Sequence, residues 1–130
     1  DGVHLAENNT PIMDVRKNFP SLLIGASTHS LERAQQAEAE GADFITFGPV
    51  FDTPSKRKYG PPQGLDRFKE VTENTNIPVL ALGGIKYSNL GSALDSGAFG
   101  AALITGIWSS TNIKNEAKSF LDIFRRRHLL

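Results

Sequence analysis

The chain has no cysteine, and this absence excludes a disulfide framework and any chemistry that depends on a thiolate. No apolar run approaches the roughly 18 residues that a membrane-spanning helix needs. The N-terminus also lacks the basic segment followed by an apolar one that marks a signal peptide. Together these absences predict a soluble protein of a reducing compartment, and we expect it in the cytoplasm.

Charge of one sign is not in excess either, since 14 lysines and arginines balance 14 aspartates and glutamates. A neutral chain offers no bulk attraction to nucleic acid or to an anionic membrane, so we expect small-molecule partners instead. The 130 residues are enough for one domain, which we take to cover positions 1–130. They fall short of the roughly 200–250 residues of a complete (β/α)8 barrel.

What the chain does contain is a regular alternation of apolar runs and helical patterns, which favours an α/β fold with a parallel sheet. We predict five strands, at 2–5, 22–26, 44–47, 78–82 and 101–104, and five helices, at 11–18, 31–40, 66–74, 89–96 and 114–127. Thr10 and Ser30 are the expected N-caps of the first two helices. The last helix is expected to turn Ala117, Phe120, Leu121 and Phe124 inward.

Two folds agree with five β-α units. One is a partial (β/α)8 barrel, of the TIM-barrel family, with about five units. The other is a flavodoxin-like doubly wound sheet, which periodicity alone does not exclude. The ends of the last two strands favour the barrel, because phosphate sites are often built at that place in barrels.

Those two strand ends carry glycine where a ligand could approach the main chain. The run that ends the fourth strand leads into Gly83-Gly84, and the fifth leads into Thr105-Gly106. Glycine accepts positive φ, so successive N–H groups can form a concave nest for a phosphate. An ordinary turn is the plain alternative for each pair taken alone.

His29 is the only histidine among the residues that follow the predicted strands, and an imidazole can take and give a proton near neutral pH. We therefore predict that His29 is the acid/base group. The alternative is a histidine that hydrogen-bonds a loop carbonyl or caps the following helix. His4 lies within a strand and His128 near the C-terminus, so both are expected to have core or surface roles.

The segment after the third strand combines hydroxyls and a cation, namely Thr53, Ser55 and Lys56 around Pro54. Such groups suit an anionic oxygen cluster, although Lys56 also belongs to a short basic run that could be a solvated surface. The span 48–64 is long for a βα connection, and this length predicts a mobile cover over the site. After the first strand, Glu7 and Asn9 make a poor magnesium site, so no metal is predicted from them.

Taken together, the strand ends resemble the thiamine phosphate synthase and TenI family of (β/α)8 barrels. The matching segments lie in family order along the chain and correspond to roughly the last five of eight units. They are Asp1-Gly2-Val3-His4-Leu5, Gly25-Ala26-Ser27-Thr28-His29-Ser30, Gly41-Ala42-Asp43-Phe44, Gly48-Pro49-Val50-Phe51-Asp52-Thr53-Pro54-Ser55-Lys56, Gly83-Gly84-Ile85 and Ile104-Thr105-Gly106-Ile107.

The resemblance implies a thiamine-biosynthesis enzyme that binds a thiazole phosphate. In the synthase, an aminopyrimidine methyl diphosphate is joined to thiazole phosphate with loss of pyrophosphate and with the help of magnesium. On this reading Ser27 and Lys56 contact the diphosphate. The residues implied to hold the thiazole phosphate are Thr53, Pro54, Ser55, Gly83, Gly84, Ile104, Thr105 and Gly106.

One departure from the synthase pattern bears on the choice between the synthase and a related activity without the synthase reaction. Where the synthase has glycine-glutamine-glutamate-aspartate, this chain has Ala6-Glu7-Asn8-Asn9, so Asn9 occupies the position of a magnesium ligand. We therefore expect a TenI-like thiazole tautomerase, which needs no metal and uses His29 to move a proton, ahead of the synthase. A non-catalytic phosphate-binding module is the third alternative, and either a homo-oligomer or a missing N-terminal segment would be needed to cover the sheet edges.

Overall fold

A computed structural model describes residues 1–127 of the chain, except the side chains of Lys56 and Tyr59. Its centre is a five-stranded sheet in which every neighbouring pair is parallel. The strands are β1 (Gly2–Leu5), β2 (Leu23–Thr28), β3 (Phe44–Phe47), β4 (Val79–Leu82) and β5 (Gly100–Ala102).

Helices connect the strands and follow them in the order expected for β-α units. They are α1 (Ile12–Asn18), α2 (Leu31–Ala39), α3 (Gly64–Glu73), α4 (Tyr87–Asp95), α5 (Thr105–Trp108) and α6 (Ile113–Arg126), with a 3-10 helix at Pro54–Tyr59 before α3. None of the helices within residues 1–127 is long and apolar enough to cross a membrane.

The order of the strands decides between the two folds that the sequence left open. The strands lie in the sheet in the same order as in the chain, β1-β2-β3-β4-β5. A flavodoxin-like sheet would have β1 inside the sheet, beside β3, with β2 at its edge. The chain therefore has the α/β architecture of a partial barrel of the TIM-barrel family, and the carboxyl ends of its strands meet at one edge.

The hydrophobic core lies between the sheet and the helices. Alternate residues of the central strands, among them Ile24, Ile45 and Phe47, are essentially fully buried. Phe68 of α3 packs a tilted ring against Phe47, with the ring centroids 6.1 Å apart. Burial of one such aromatic or aliphatic side chain contributes about 1.5–3 kcal/mol to folding, so this layer fixes the sheet from which the site loops extend.

The other face of the sheet carries the remaining alternate residues, because strand side chains alternate between faces. The ring of His4 lies near that of Phe44, with centroids 5.8 Å apart, on either side of Gly25. A Cβ on Gly25 would lie 2.3 Å from the Phe44 ring and 2.6 Å from His4 Nδ1, so any larger residue would push these two rings aside. His4 is thus a surface residue of this face, as expected.

Several local predictions need correction. The N-cap of α1 is Pro11 rather than Thr10, while Ser30 caps α2 as predicted, by accepting a hydrogen bond from the Arg33 N–H. Leu121 is 44% exposed and does not point inward, although Phe120 is buried. The short helix α5 was not predicted, because its four residues are too few to show a periodicity.

Arg16 and Asp43 tie the helix layer to the sheet at the end opposite the strand carboxyl ends. Arg16 donates hydrogen bonds to the carbonyls of Gly41 and Leu22 and, at 2.6 Å, to the carboxylate of Asp43. Asp43 also accepts the Ile24 N–H at 2.7 Å. The Ile24 hydrogen bond first, and then the Arg16 guanidinium, hold the pKa of the Asp43 carboxyl below its ordinary value.

We expect Asp43→Asn to destabilise the protein by about 1 kcal/mol at pH 7, a value kept small because 41% of the side chain is exposed. A depressed folded-state pKa stabilises above the unfolded-state value of about 4 and ceases to do so as pH falls through the folded value. Urea unfolding should therefore separate the wild type from the variant at pH 7, and the difference should shrink as the pH falls below about 4. Asp95→Asn, which removes an exposed ion pair with Arg127, should have a smaller effect.

Candidate functional site

The loop after β4 has the backbone that a phosphate nest requires. Gly83 and Gly84 both have positive φ, at 92° and 64°. A Cβ on Gly84 would lie 2.5 Å from the carbonyl oxygen of Asp52 and 2.8 Å from the carbonyl carbon of Phe51. Because backbone atoms cannot move aside as a side chain can, this position admits only glycine.

The loop after β4 and the loop after β5 line one cavity of about 700 Å³. Gly84, Ile85, Thr105 and Gly106 all border it. Within residues 1–127, no backbone carbonyl accepts a hydrogen bond from the N–H of any of these four residues. Unpaired N–H groups from two loops around one cavity are the arrangement that binds an oxyanion.

Lys86 adds a positive charge to the border of the same cavity. Its ammonium contributes to the electrostatics of the neighbouring loop, where Arg57 hydrogen-bonds Asp52. The Arg57 guanidinium, and to a smaller extent Lys86, hold the pKa of the Asp52 carboxyl below its ordinary value. Arg57 thus balances the charge of the Asp52 carboxylate. The ammonium of Lys86, at the border of the cavity, suits the binding of a phosphate.

The other predicted phosphate contacts lie nearby but do not border this cavity. Thr53 approaches the glycine loop, since a Cβ on Gly83 would lie 3.3 Å from its hydroxyl oxygen, and that hydroxyl donates to the Phe51 carbonyl. Pro54 and Ser55 are exposed in the 3-10 helix, and Ile104 is 70% exposed where α5 begins. The Lys56 side chain lies outside the described residues, as does His128.

His29 lies between two groups that set the state of its ring. Nδ1 is 2.5 Å from the Gly48 carbonyl oxygen, and Nε2 is 3.8 Å from the carboxylate of Glu7. A carbonyl only accepts, so Nδ1 must carry the proton and donate it, which leaves Nε2 of the neutral ring as the proton acceptor. The loop-carbonyl contact considered as the alternative for His29 is therefore present. The acid/base role of His29 stays a prediction.

The structure brings His29 and the glycine loops to the same edge of the sheet, but not into one cavity. His29 borders a second cavity of about 280 Å³ together with Gln63 and Arg67. The Gly48-Pro49 segment contacts both regions, since the Gly48 carbonyl meets His29 and a Cβ on Gly83 would be 2.6 Å from Pro49.

Ser27 lies on the open face of the sheet rather than in either cavity. Its hydroxyl oxygen is 3.0 Å from Nε2 of His4. This contact links a residue implied in diphosphate binding to a histidine that was expected to have no functional role. The diphosphate role of Ser27 stays a prediction.

The residues after β1 do not fit a magnesium site by themselves. The side-chain oxygen of Asn9 already accepts the N–H of Thr10 at 2.7 Å, and Glu7 faces His29. Within residues 1–127 there is no group of three or more histidine, cysteine, aspartate or glutamate side chains that could hold a metal ion. No reaction step is therefore assigned to a metal held by these residues.

Sequence reasoning missed three features of this edge. The first is the contact of Glu7 with His29, because the two belong to different strand ends and no local pattern joins them. The second is Lys86, which directly follows Gly83-Gly84-Ile85 and could have been found by its position. The third is Asn89, which lies three residues after Lys86, the N-cap residue of α4. A polar side chain at this spacing commonly caps the N–H of the N-cap residue.

Comparison with known proteins identifies the family. The model of the thiamine monophosphate synthase family matches residues 1–107. The chain belongs to this family. It is similar to the thiamine-phosphate synthases of Methanocella arvoryzae, at 39% identity over 99% of this chain and 61% of that protein, and of Dictyoglomus turgidum, at 39% identity over 95% and 56%.

Solved structures place this thiamine monophosphate synthase family member in the same fold. Thiamine phosphate pyrophosphorylase from Pyrococcus furiosus superimposes with a TM-score of 0.88 at 33% identity, covering 97% of this chain and 60% of that one. A structure described as native KDPGal, at 19% identity and a TM-score of 0.70, shares the fold alone. The chain spans about 60% of the length of the relatives that it matches.

The match to the thiamine monophosphate synthase family confirms the resemblance drawn from the strand ends. Between the two activities, the names of the relatives favour the synthase over the tautomerase. Asn9, in contrast, had led us to expect the tautomerase, so the choice between the two activities belongs to the proposal below.

Proposed function

We propose that this chain forms the part of a thiamine phosphate synthase that binds the thiazole phosphate. The observation that carries the proposal is the cavity between the loops after β4 and β5, where N–H groups of Gly84, Ile85, Thr105 and Gly106 have no backbone partner among the described residues. Hydrogen bonds to a charged acceptor contribute about 1.5–3 kcal/mol each, so a few of them anchor a phosphate firmly.

The reaction proposed for the whole enzyme joins the thiazole phosphate to an aminopyrimidine methyl diphosphate. A bond forms between the methylene carbon and the thiazole nitrogen, the bond from that carbon to the diphosphate oxygen breaks, and pyrophosphate leaves with the electron pair. Holding the thiazole by its phosphate contributes by positioning the nitrogen beside that carbon. Magnesium would assist the departure of pyrophosphate, but the described residues do not form its site.

A second candidate is the thiazole tautomerase, and the geometry around His29 favours it. The Gly48 carbonyl fixes the proton on Nδ1, and Glu7 lies 3.8 Å from Nε2. A ring held in this way can remove a proton from one position of a bound thiazole and return it to another without a metal. The position of Asn9 agrees with this candidate as well.

We expect the protein, given both substrates and magnesium, to release pyrophosphate in equal amount to the thiamine phosphate formed. A pyrophosphate assay with product quantified by chromatography measures this. Release of pyrophosphate without the thiazole substrate would show hydrolysis only. Isomerisation of a carboxylated thiazole phosphate without metal, in the absence of pyrophosphate release, would establish the second candidate. Phosphate binding with neither activity would leave a non-catalytic module.

A further inference from the structure

Asn89, in the first turn of α4, holds the backbone of the glycine loop from behind. Its side-chain oxygen accepts the N–H of Lys86 at 2.7 Å, and its side-chain NH2 donates to the carbonyl of Gly84 at 2.9 Å. The orientation of the amide is unambiguous, because an N–H can only donate and a carbonyl can only accept. The side chain of Asn89 is half-buried and does not border the cavity.

The two hydrogen bonds fix two successive peptide planes. In a trans peptide the C=O and N–H groups point in opposite directions. Since the Gly84 carbonyl points toward Asn89, the N–H of Ile85 in the same peptide points away from it. Since the Lys86 N–H also points toward Asn89, the Ile85 carbonyl points away in turn.

The second of these planes connects the two phosphate loops. A Cβ on Gly106 would lie 2.6 Å from the Ile85 carbonyl oxygen, so the loop after β5 packs directly on this carbonyl. Rotation of the Ile85-Lys86 peptide would change the distance between the loops as well as the direction of the N–H groups. The side chain of Asn89 therefore holds the peptide on which the loop after β5 packs.

We propose that Asn89 is a positioning residue that preorganises the phosphate cradle without contacting the ligand. The inference rests on the proposed binding of thiazole phosphate. A preorganised cradle binds without first ordering the loop, and an unclamped loop must do so at a cost in affinity. The contribution of Asn89 should thus appear only for ligands that carry the phosphate.

The test compares the affinity for thiazole phosphate with that for the unphosphorylated thiazole alcohol, by calorimetry, in the wild type and in Asn89→Ala. We expect the affinity for the phosphorylated ligand to fall about tenfold, in line with two lost hydrogen bonds, and that for the alcohol to stay unchanged. In turnover, the KM for thiazole phosphate should rise about tenfold with little change in kcat. Asn74→Ala is the matched control, since Asn74 donates one hydrogen bond to the Glu70 carbonyl outside the site.

An equal loss for both ligands, or a loss in Asn74→Ala as large as in Asn89→Ala, would reduce Asn89 to a structural role and overturn the inference. An unchanged affinity for the phosphorylated ligand would do the same. If the wild type itself does not prefer the phosphorylated ligand, the proposed function fails instead. Should Asn89→Ala not fold, Asn89→Ser adds no charge, is too short to hold both hydrogen-bond partners, and should still weaken binding of the phosphorylated ligand alone.

Discussion

Gly84→Ala is expected to lower the affinity for thiazole phosphate by about a hundredfold. The new Cβ would lie 2.5 Å from the Asp52 carbonyl oxygen, and the residue would keep a φ of 64° that alanine disfavours. The loop must therefore move away from the segment after β3, and its N–H groups leave the cavity. Losing two hydrogen bonds to a charged phosphate removes about 3 kcal/mol, which corresponds to a factor of roughly one hundred.

Gly64→Ala separates the effect of backbone strain from that of the clash. Gly64 has a φ of 81°, close to that of Gly84, but a Cβ there would meet nothing within 4 Å. We expect Gly64→Ala to destabilise the protein by about 1 kcal/mol and to leave phosphate binding unchanged. Calorimetric titration and urea unfolding of both variants measure the two quantities. Equal binding by Gly84→Ala and the wild type would show that the phosphate lies elsewhere.

The sequence predicted the architecture well where local patterns carry the information. The β-α alternation predicted the right class, and Gly83-Gly84 and Thr105-Gly106 were correctly expected to follow strands. Parallel strands bring their carboxyl ends to one edge of the sheet, so the parallel topology alone predicts that the two glycine-containing loops lie close together. The order of the strands could not be predicted from periodicity and needed the observed pairing.

The rest of the candidate site depends on contacts between residues that are distant in the chain. Glu7 and His29 are 22 positions apart, and no local signal predicts that they approach to 3.8 Å. The fit of Gly84 against the Asp52 carbonyl depends in the same way on how the segment after β3 folds back. Sequence reasoning treated the polar strand ends as one pocket, whereas Gly84 and Thr105 border one cavity and His29 borders another.

His29→Asn is expected to lower the rate of thiazole tautomerisation by about 10²–10⁴-fold, the usual contribution of a positioned acid/base group. An asparagine amide can still donate toward the Gly48 carbonyl, but it cannot accept and return a proton near neutral pH. The affinity for thiazole phosphate should not change, because His29 does not border the cavity that Gly84 and Thr105 line. Single-turnover isomerisation and calorimetric binding measure the two effects separately.

Glu7→Gln is the partner variant, since it keeps the shape of the side chain and removes the charge 3.8 Å from Nε2. We expect a smaller loss of tautomerisation, about tenfold, if the carboxylate stabilises the imidazolium that forms when His29 takes the proton. Joining the thiazole to the aminopyrimidine needs no such proton transfer, so pyrophosphate release should be affected less by either change. An isomerisation rate unaltered in His29→Asn would remove the imidazole from the chemistry. Loss of phosphate binding in that variant would make its role structural.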